Sequence, residues 1–491
     1  MSLKKVVVMG AGPAGLSAGY ALAKKGLDVS LFESENQVGG ISKTVQYKGY
    51  HFDLGGHRFF TKFDEVNKLW NEVLGDSFRK TPRLSRIYYK NKFFNYPLTP
   101  MNALLGVGIL DTFVIVASYL KSRLMPFKEE ETFEQWTSNR FGKRLYSIFF
   151  KTYTEKVWGI PCSEIQAEWA AQRIKGLSLM SAIMNALFKS KKNNIKTLID
   201  QFDYPTYGPG MMYNEMKNKI QTMGGSISQN SKVTRVNHKD GKIVSIEITD
   251  PRGKRNVFKG SDFVSSIPVT ELVSILSPSP DPEVLEAAKK LSYRSIITVD
   301  IIINRKDVFP DNWIYIHSPE VKLGRIQNFK NWSREMVPDT NKTSLGLEYF
   351  CNENDKFWNM PDEELFKLAA SEIEKISICK ASEIEDYTII RVPKAYPVYS
   401  KGYRTNIEII KNYLTKFENL QLVGRYGLFK YNNMDHSILT GLFAAENILK
   451  EAILHNTWDV NTDDEYHEEY KESNPSDKEI VPEQLLGKQP S

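Results

Sequence analysis

Apolar and polar positions along the first thirty residues alternate in blocks that predict a strand, a turn, a helix and a second strand. Val6 to Met9 is an uninterrupted apolar run of strand length, Gly10 to Gly15 breaks it, Leu16 to Lys25 carries a helical repeat, and Asp28 to Phe32 returns to strand character. This is the opening half of a βαβ unit. From Pro100 to about Ser190 the pattern is helical. There Phe133, Trp136, Phe141, Tyr146, Phe149 and Phe150 recur near three- and four-residue spacing, as an apolar core stripe does. From about Ser226 to Ser266 the period becomes that of strands, with Lys239-Asp240-Gly241-Lys242 turning Val233-Val236 back into Ile243-Ile248 as a hairpin. A second βα pattern runs from Gln421-Val423 into a helix over Ile438 to Leu454.

These switches divide the chain into a discontinuous nucleotide domain (1–99 with about 200–270 and 415–455), a mainly helical domain (100–199) and a sheet-containing domain (271–414). The stretch 456–491 is polar, acidic and interrupted by Pro475 and Pro482, and is expected to be disordered. With 491 residues, 41% of them hydrophobic and 25% charged, the chain has material for two or three buried cores. The formal charge is +6, but ten acidic and three basic residues lie from Asn456 onward, which leaves the preceding body near +13 and favours an anionic ligand. The basic residues are scattered among apolar segments, which argues against nucleic acid as a partner. Three cysteines, Cys162, Cys351 and Cys379, have neither disulfide nor metal spacing, and Met1 leads straight into a strand with no secretory segment, so a cytoplasmic protein is expected. Met101 to Leu120 is apolar, but Asp111 at its centre would cost at least ~2.5 kcal/mol in a bilayer. A buried or interfacial helix is expected there, with no membrane span. A homo-oligomer is left open.

Gly10-Ala11-Gly12-Pro13-Ala14-Gly15 follows a strand and opens a helix, so backbone amides and the helix dipole can face a pyrophosphate. Glu33 ends the next strand, where a carboxylate can accept hydrogen bonds from a ribose diol. Gly39-Gly40 add a second close backbone approach. Together Glu33 and Gly39-Gly40 resemble the extended signature of the FAD family that includes amine oxidases, protoporphyrinogen oxidases and UDP-galactopyranose mutases. Gly55-Gly56-His57-Arg58-Phe59-Phe60, Tyr153 to Gly159, Gly424-Arg425-Tyr426-Gly427, Tyr431 and Asn433-Met434-Asp435-His436-Ser437 are similar to UDP-galactopyranose mutases, chiefly the eukaryotic type, from Lys4 to about Leu454.

The resemblance implies an α/β fold with a Rossmann-type FAD-binding domain, a mainly helical domain and an antiparallel-sheet substrate domain. It implies FAD contacts from Gly10, Gly12, Gly15, Glu33, Gly39, Gly40, Gly56, His57, Val233, Gly424, Arg425, Asn433, Met434 and Ser437. His57 matches a histidine beside the isoalloxazine. Arg173, preceded by Gln166 and Trp169, and Arg325, in a cluster with Trp313 and Tyr315, match two arginines that grip a diphosphate; His57, Arg173 and Arg325 are the candidate catalytic residues. Arg83, Tyr96, Tyr153, Trp158, Tyr315, Tyr396 and Tyr431 match substrate-pocket positions, and Tyr204-Pro205 with Gly208-Pro209-Gly210-Met211 matches a segment near the flavin. Thr99 stands where those enzymes carry a glutamine and Trp332 where they carry a tyrosine, which leaves the base and the sugar open. The implied activity is pyranose–furanose interconversion of a nucleotide sugar, UDP-linked in that family, through a reduced-flavin N5–sugar adduct, for polysaccharide biosynthesis. No second glycine fingerprint marks an NAD(P)H domain, so NAD(P)H is a candidate reductant only. The alternatives are an FAD oxidoreductase of the amine oxidase or protoporphyrinogen oxidase type, which has no need of paired arginines, and a membrane escort using Met101 to Leu120.

Overall fold

The computed structural model describes residues 4–96, 98, 100–167, 201–250 and 252–462. Arg173, Trp169, Pro97, Thr99 and the stretch 463–491 lie outside them. The apolar run at the N-terminus forms strand Lys5–Met9, helix Pro13–Lys24 follows, and strand Asp28–Phe32 pairs in parallel with the first. Val6 and Val8 point into one core, Val7 and Met9 into another, so both faces of the strand are covered and all four side chains are apolar. The sheet has five parallel strands in the order Leu420–Leu422, Asp262–Ser265, Lys5–Met9, Asp28–Phe32, Ser226–Ser228. Three distant stretches of chain therefore meet in one sheet. The hairpin forms as its turn chemistry dictates, with Lys232–Lys239 antiparallel to Lys242–Thr249.

A seven-stranded sheet packs beside it, ordered Ile384–Pro397, Tyr293–Ile303, Thr343–Cys351, Arg325–Asn328, Trp313–Ile316, Ser85–Tyr89, Lys92–Asn95. Every pairing is antiparallel except that of Trp313–Ile316 with Ser85–Tyr89. The strands at 85–95 thus add to this sheet and not to the parallel one. Side-chain alternation gives it two unlike faces. Ile297, Val299, Ile326, Leu345 and Leu347 enter a core with helix Asp362–Lys375, and the opposite face carries the polar row described below.

Two sequence expectations are revised. The apolar stretch Met101 to Leu120 is two helices, Pro100–Val107 and Ile109–Leu124, separated by Gly108 at φ +97°, and only Ile115 and Tyr119 of the second are buried. The break follows from a glycine in a left-handed conformation that ends one helix and begins the next. The chain also stays on the body beyond His455. Trp458 is buried, the Thr457 hydroxyl donates to Leu422 O at 2.8 Å, and Lys430 Nζ donates to Val460 O at 3.0 Å. Two apolar side chains at 458 and 460 outweigh the polar composition around them.

Two helices of the parallel-sheet half cross at close range. Helix Met434–Lys450 passes so close to Pro13–Lys24 that a Cβ on Gly441 would lie 2.2 Å from both Ala14 O and Ser17 Oγ. The Ser17 hydroxyl bonds across the crossing to Ile438 O at 3.1 Å. Gly441→Ala should therefore force the helices apart and cost about 2 kcal/mol or more. A melting temperature equal to that of the wild type would contradict this packing.

Candidate active site

Where the helix Pro13–Lys24 begins, the backbone folds tightly enough that a Cβ on Gly15 would sit 2.0 Å from Gly10 O. Gly12 and Gly40 face each other, and a Cβ on Gly40 would come within 3.3 Å of the Gly12 Cα. Gly39 N–H donates to Ala11 O at 2.8 Å, which ties the second glycine turn to the first. Glu33 follows strand Asp28–Phe32 and is buried; one carboxylate oxygen accepts from Ala11 N–H at 2.8 Å, the other from Glu35 N–H at 3.0 Å and the Ser34 hydroxyl at 3.2 Å. Burial raises its pKa against these bonds.

The N-terminus of helix Met434–Lys450 opens on the same cavity. Asn433 and His436 form a capping box there, with Asn433 N–H donating to His436 Nδ1 at 3.3 Å, and Gly424 N–H is held by the Thr440 hydroxyl at 2.9 Å. Gly10, Gly12, Glu33, Gly40, Val233, Gly424, Asn433, Met434 and Ser437 all line this cavity of about 820 Å³. Two helix N-termini, side-chain-free backbone and a carboxylate beyond them fit the pyrophosphate and ribose of FAD.

The opposite wall is the polar face of the seven-stranded sheet. Tyr315, Arg325 and Glu348 lie directly across from one another on three adjacent strands, with Thr298 next in line. Two residues along, Trp313, Gln327, Gly346 and Asp300 form a second row. Glu348 is fully buried and accepts from Arg325 Nε at 2.9 and 3.0 Å, from Arg325 Nη2 at 2.5 Å and from Gln327 Nε2 at 2.7 Å. This clamp fixes the guanidinium plane and makes no demand on Nη1. Although burial opposes the charge, Glu348 and the hydrogen bonds to it keep Arg325 protonated, well above the ordinary arginine value. Arg425 arrives from the turn after strand Leu420–Leu422. Its Nε donates to Asn432 O at 2.8 Å and Nη1 to Ala395 O at 2.9 Å, and it lies over the rings of Tyr431 and Tyr396 at 4.8 and 5.6 Å. Those two rings stack at 5.4 Å and 4°.

His57 lies between these groups. Desolvation first, then Arg425 and Arg325, push its pKa down to about 3, so the imidazole is neutral at physiological pH. Two carboxyls behind the wall are pushed the other way. Asp300, which accepts from the Thr298 hydroxyl at 3.1 Å, is raised well above the ordinary value by burial and stays protonated. Asp53 is raised to about 7 by burial while accepting from Tyr204 and Thr44.

Of the residues expected at the site, Tyr96, Tyr315, Arg325, Tyr396, Tyr431, Gly56 and His57 share this cavity with the cradle. Gly15 and Gly39 support its floor from behind. Trp158 lies one layer back, 6.2 Å from the ring centroids of Tyr396 and Tyr431. Tyr153 stacks on His317 at 4.8 Å and meets Tyr315 edge-on, and Arg83 sits over Trp313 and Tyr96 at 5.5 and 5.7 Å. None of these three lines the cavity wall. The segment from Tyr204 to Gly210 packs on Asp53 and Thr44 instead, Gly210 N–H donating to the Thr44 hydroxyl at 3.0 Å. Glu348, Gln327 and Asp300 were not expected. Glu348 and Asp300 are polar residues between apolar or aromatic strand neighbours, which is the one local trace they leave; Gln327, between Ile326 and Asn328, leaves none.

The chain matches the family of flavin containing amine oxidoreductases over residues 13–449. Among solved structures, a reduced UDP-galactopyranose mutase superposes with a TM-score of 0.80 at 21% identity, covering 93% of this chain and 97% of that one. Putrescine oxidase bound to putrescine gives 0.60 at 15% identity over 91% and 99% of the two chains. By sequence, a 1-hydroxycarotenoid 3,4-desaturase of Flavobacterium sp. (strain P99-3) is 40% identical over 73 residues. That is 14% of this chain and 15% of the relative, so the match spans less than a fifth of its length. Coproporphyrinogen III oxidase of Staphylococcus aureus (strain NCTC 8325 / PS 47) aligns over 91% of this chain and 99% of its own length at 21% identity.

The cradle geometry makes Glu33→Ala weaken FAD binding by about 1.5–3 kcal/mol, the scale of a hydrogen bond to a charged group; an unchanged FAD dissociation constant would remove Glu33 from the contact. Asp53 yields a pH prediction. Its folded-state pKa of about 7 exceeds the 3.8 of a free carboxyl, so the native state binds this proton more tightly than the unfolded chain. The resulting stability is complete below pH 3.8 and is lost as pH rises toward 7. Asp53→Asn should flatten the fall in melting temperature across that window, and a pH slope identical to wild type would refute the assignment.

Proposed function

The chain belongs to the family of flavin-containing amine oxidoreductases, and from that premise we propose that it is an FAD-dependent nucleotide-sugar mutase that interconverts pyranose and furanose rings for polysaccharide biosynthesis. One observation carries the reading: a guanidinium locked by a buried carboxylate, Arg325 on Glu348, faces the cavity that also holds the dinucleotide cradle. Breaking a sugar–phosphate bond builds negative charge on the departing diphosphate, and preorganised guanidinium donors stabilise that charge without reorganising. Arg425, braced by two backbone carbonyls and two tyrosine rings, adds a second positive charge beside the first. A protonated amine offers no anion to such a guanidinium, and a porphyrinogen presents propionate carboxylates that do not gain charge as it is oxidised, unlike a departing diphosphate.

FAD held by the cradle residues would, in its reduced form, supply a nucleophilic nitrogen for the anomeric carbon. The protein's own residues do the rest. Tyr315, opposite Arg325 in the sheet register, and the stacked pair Tyr396–Tyr431 form an aromatic wall against which a sugar can lie. The Tyr396 phenol is held above its ordinary pKa by burial, so it donates hydrogen bonds and does not ionise. His57, neutral at physiological pH, can orient substrate or cofactor as acceptor or donor but brings no proton of its own. By resemblance, Arg173 closes on the diphosphate from the segment that follows Gln166, and NAD(P)H is the candidate source of electrons.

The decisive assay is to reduce the purified holoprotein with dithionite and incubate it with UDP-galactopyranose and other nucleotide sugars. Furanose product with flavin still reduced after many turnovers is expected. Oxygen consumption by the oxidised protein, with hydrogen peroxide accumulating in step with product, would transfer the reading to the oxidase class. Arg325→Lys and Arg173→Ala should each weaken UDP binding by roughly tenfold or more, because an ammonium or a methyl cannot reproduce bidentate geometry. FAD content should not change. UDP affinity equal to wild type in both variants, read by displacement of a fluorescent UDP analogue, would take away the central support.

A further inference from the structure

Helix Ile109–Leu124 is firmly attached along one side. Ile115 and Tyr119 are buried in the core beneath the aromatic cavity wall, a Cβ on Gly142 would come within 2.8 Å of the Tyr119 backbone, Ser118 Oγ accepts from Arg144 N–H at 3.0 Å, and Asp111 pairs with Arg144. The other side is bare and apolar. Ile109 is 77% exposed, Leu110 84%, Phe113 71%, Val114 51%, Leu120 52% and Leu124 84%. At 100° per residue, the arc from Val116 through Ile109, Leu120 and Phe113 to Val114 covers about 160° of the helix without a polar residue until Lys121 near one edge and Arg123 near the other. Met125 and Phe127, 75% and 43% exposed, continue the surface beyond the helix, and the exposed Lys128 follows them.

So many large side chains, contiguous on one rigid face, exceed the scattered apolar exposure of an ordinary surface and mark an interaction site. We propose that this face is an interfacial membrane anchor that docks the protein on an anionic bilayer surface, with the apolar arc in the acyl boundary and Lys121, Arg123 and Lys128 at the headgroup phosphates. The dimensions require a helix lying in the surface. Sixteen residues span roughly 24 Å, short of the ~30 Å hydrocarbon core, and no helix among the described residues is long and apolar enough to cross a membrane. The charges identify the occupant. The helix's one acidic residue, Asp111, pairs with Arg144, and the exposed Glu129 and Glu131 lie past Lys128 beyond the end of the helix, so the charges that flank the apolar arc on the helix itself are Lys121 and Arg123, which lipid phosphates match. The anchored side of the helix packs on the core that carries Tyr96, Tyr315 and Tyr431, so docking would bring the cavity-bearing half of the molecule to the membrane.

The test is cosedimentation of the purified holoprotein with vesicles of phosphatidylcholine alone and of phosphatidylcholine with phosphatidylglycerol, at low and high salt. Wild type is expected to bind the mixed vesicles, and more weakly in high salt. Phe113→Glu/Leu120→Glu should lower the bound fraction by roughly tenfold or more, and Lys121→Glu/Arg123→Glu should abolish the preference for anionic lipid. Circular dichroism and the melting temperature report folding. If the first pair fails to fold, Ile109→Ser/Leu110→Ser at the exposed start of the helix replaces it. Wild type remaining in the supernatant with both vesicle types, or a folded apolar variant that binds as wild type does, overturns the proposal. So does light scattering that shows a dimer lost in the same variants without any lipid binding, which would assign the face to a second copy.

Discussion

The contact between helices Pro13–Lys24 and Met434–Lys450 decides where the dinucleotide cradle can stand. Their backbones approach so closely at Gly441 that Ala14 O and Ser17 Oγ occupy the space a side chain would need. Because of that approach two N-termini, separated by more than four hundred residues of sequence, open on one cavity, and the partial positive charge of each falls where a pyrophosphate can lie. Thr440, one residue before the contact, holds Gly424 N–H and so sets the turn that delivers Arg425. A methyl group at 441 would shift the cradle, the turn and the second arginine together.

The opposite wall rests on a different constraint, the disposal of charge out of water. Glu348 and Asp300 are both fully buried within one sheet face, and the structure treats them oppositely. Glu348 accepts hydrogen bonds from Arg325 and Gln327, whereas Asp300 has only a hydroxyl as its partner and is kept protonated by burial. Ionising both would place two like charges side by side without water, at a cost that one guanidinium could not offset. Arg325 thus enters the cavity with its direction fixed and part of its charge compensated from behind, while Arg425 is braced by carbonyl oxygens and rings. Burial first, and then the positive field of Arg425 and Arg325, make the His57 imidazole resist protonation.

Much of this was legible in the chain because it is local. Gly10 to Gly15, Glu33 and Gly39-Gly40 announce themselves within thirty residues, where the turn, the strand end and the helix start are adjacent in sequence. Arg325, Tyr315, Tyr396 and Tyr431 were reached through resemblance and meet at one cavity. Glu348 was out of reach, since its partners Arg325 and Gln327 stand on the next strand and sequence does not state register; Asp300 was out of reach because its burial is a matter of tertiary packing. Tyr153, Trp158 and Arg83 lie a layer behind the surface, where a resemblance cannot tell contact from support. At Met101 to Leu120 the apolar count was plain, but the inward face came down to Ile115 and Tyr119, a matter of tertiary packing that periodicity does not resolve.

The row Tyr315–Arg325–Glu348–Thr298 has an evolutionary consequence. Its members alternate with the residues that hold the opposite core, Ile326, Leu347 and Ile297 among them, so inserting or deleting one residue in any of these strands would exchange the two faces and destroy both. Descent can edit this wall only by exchanging one side chain for another at fixed register. A lineage confined in that way keeps its backbone while its chemistry drifts.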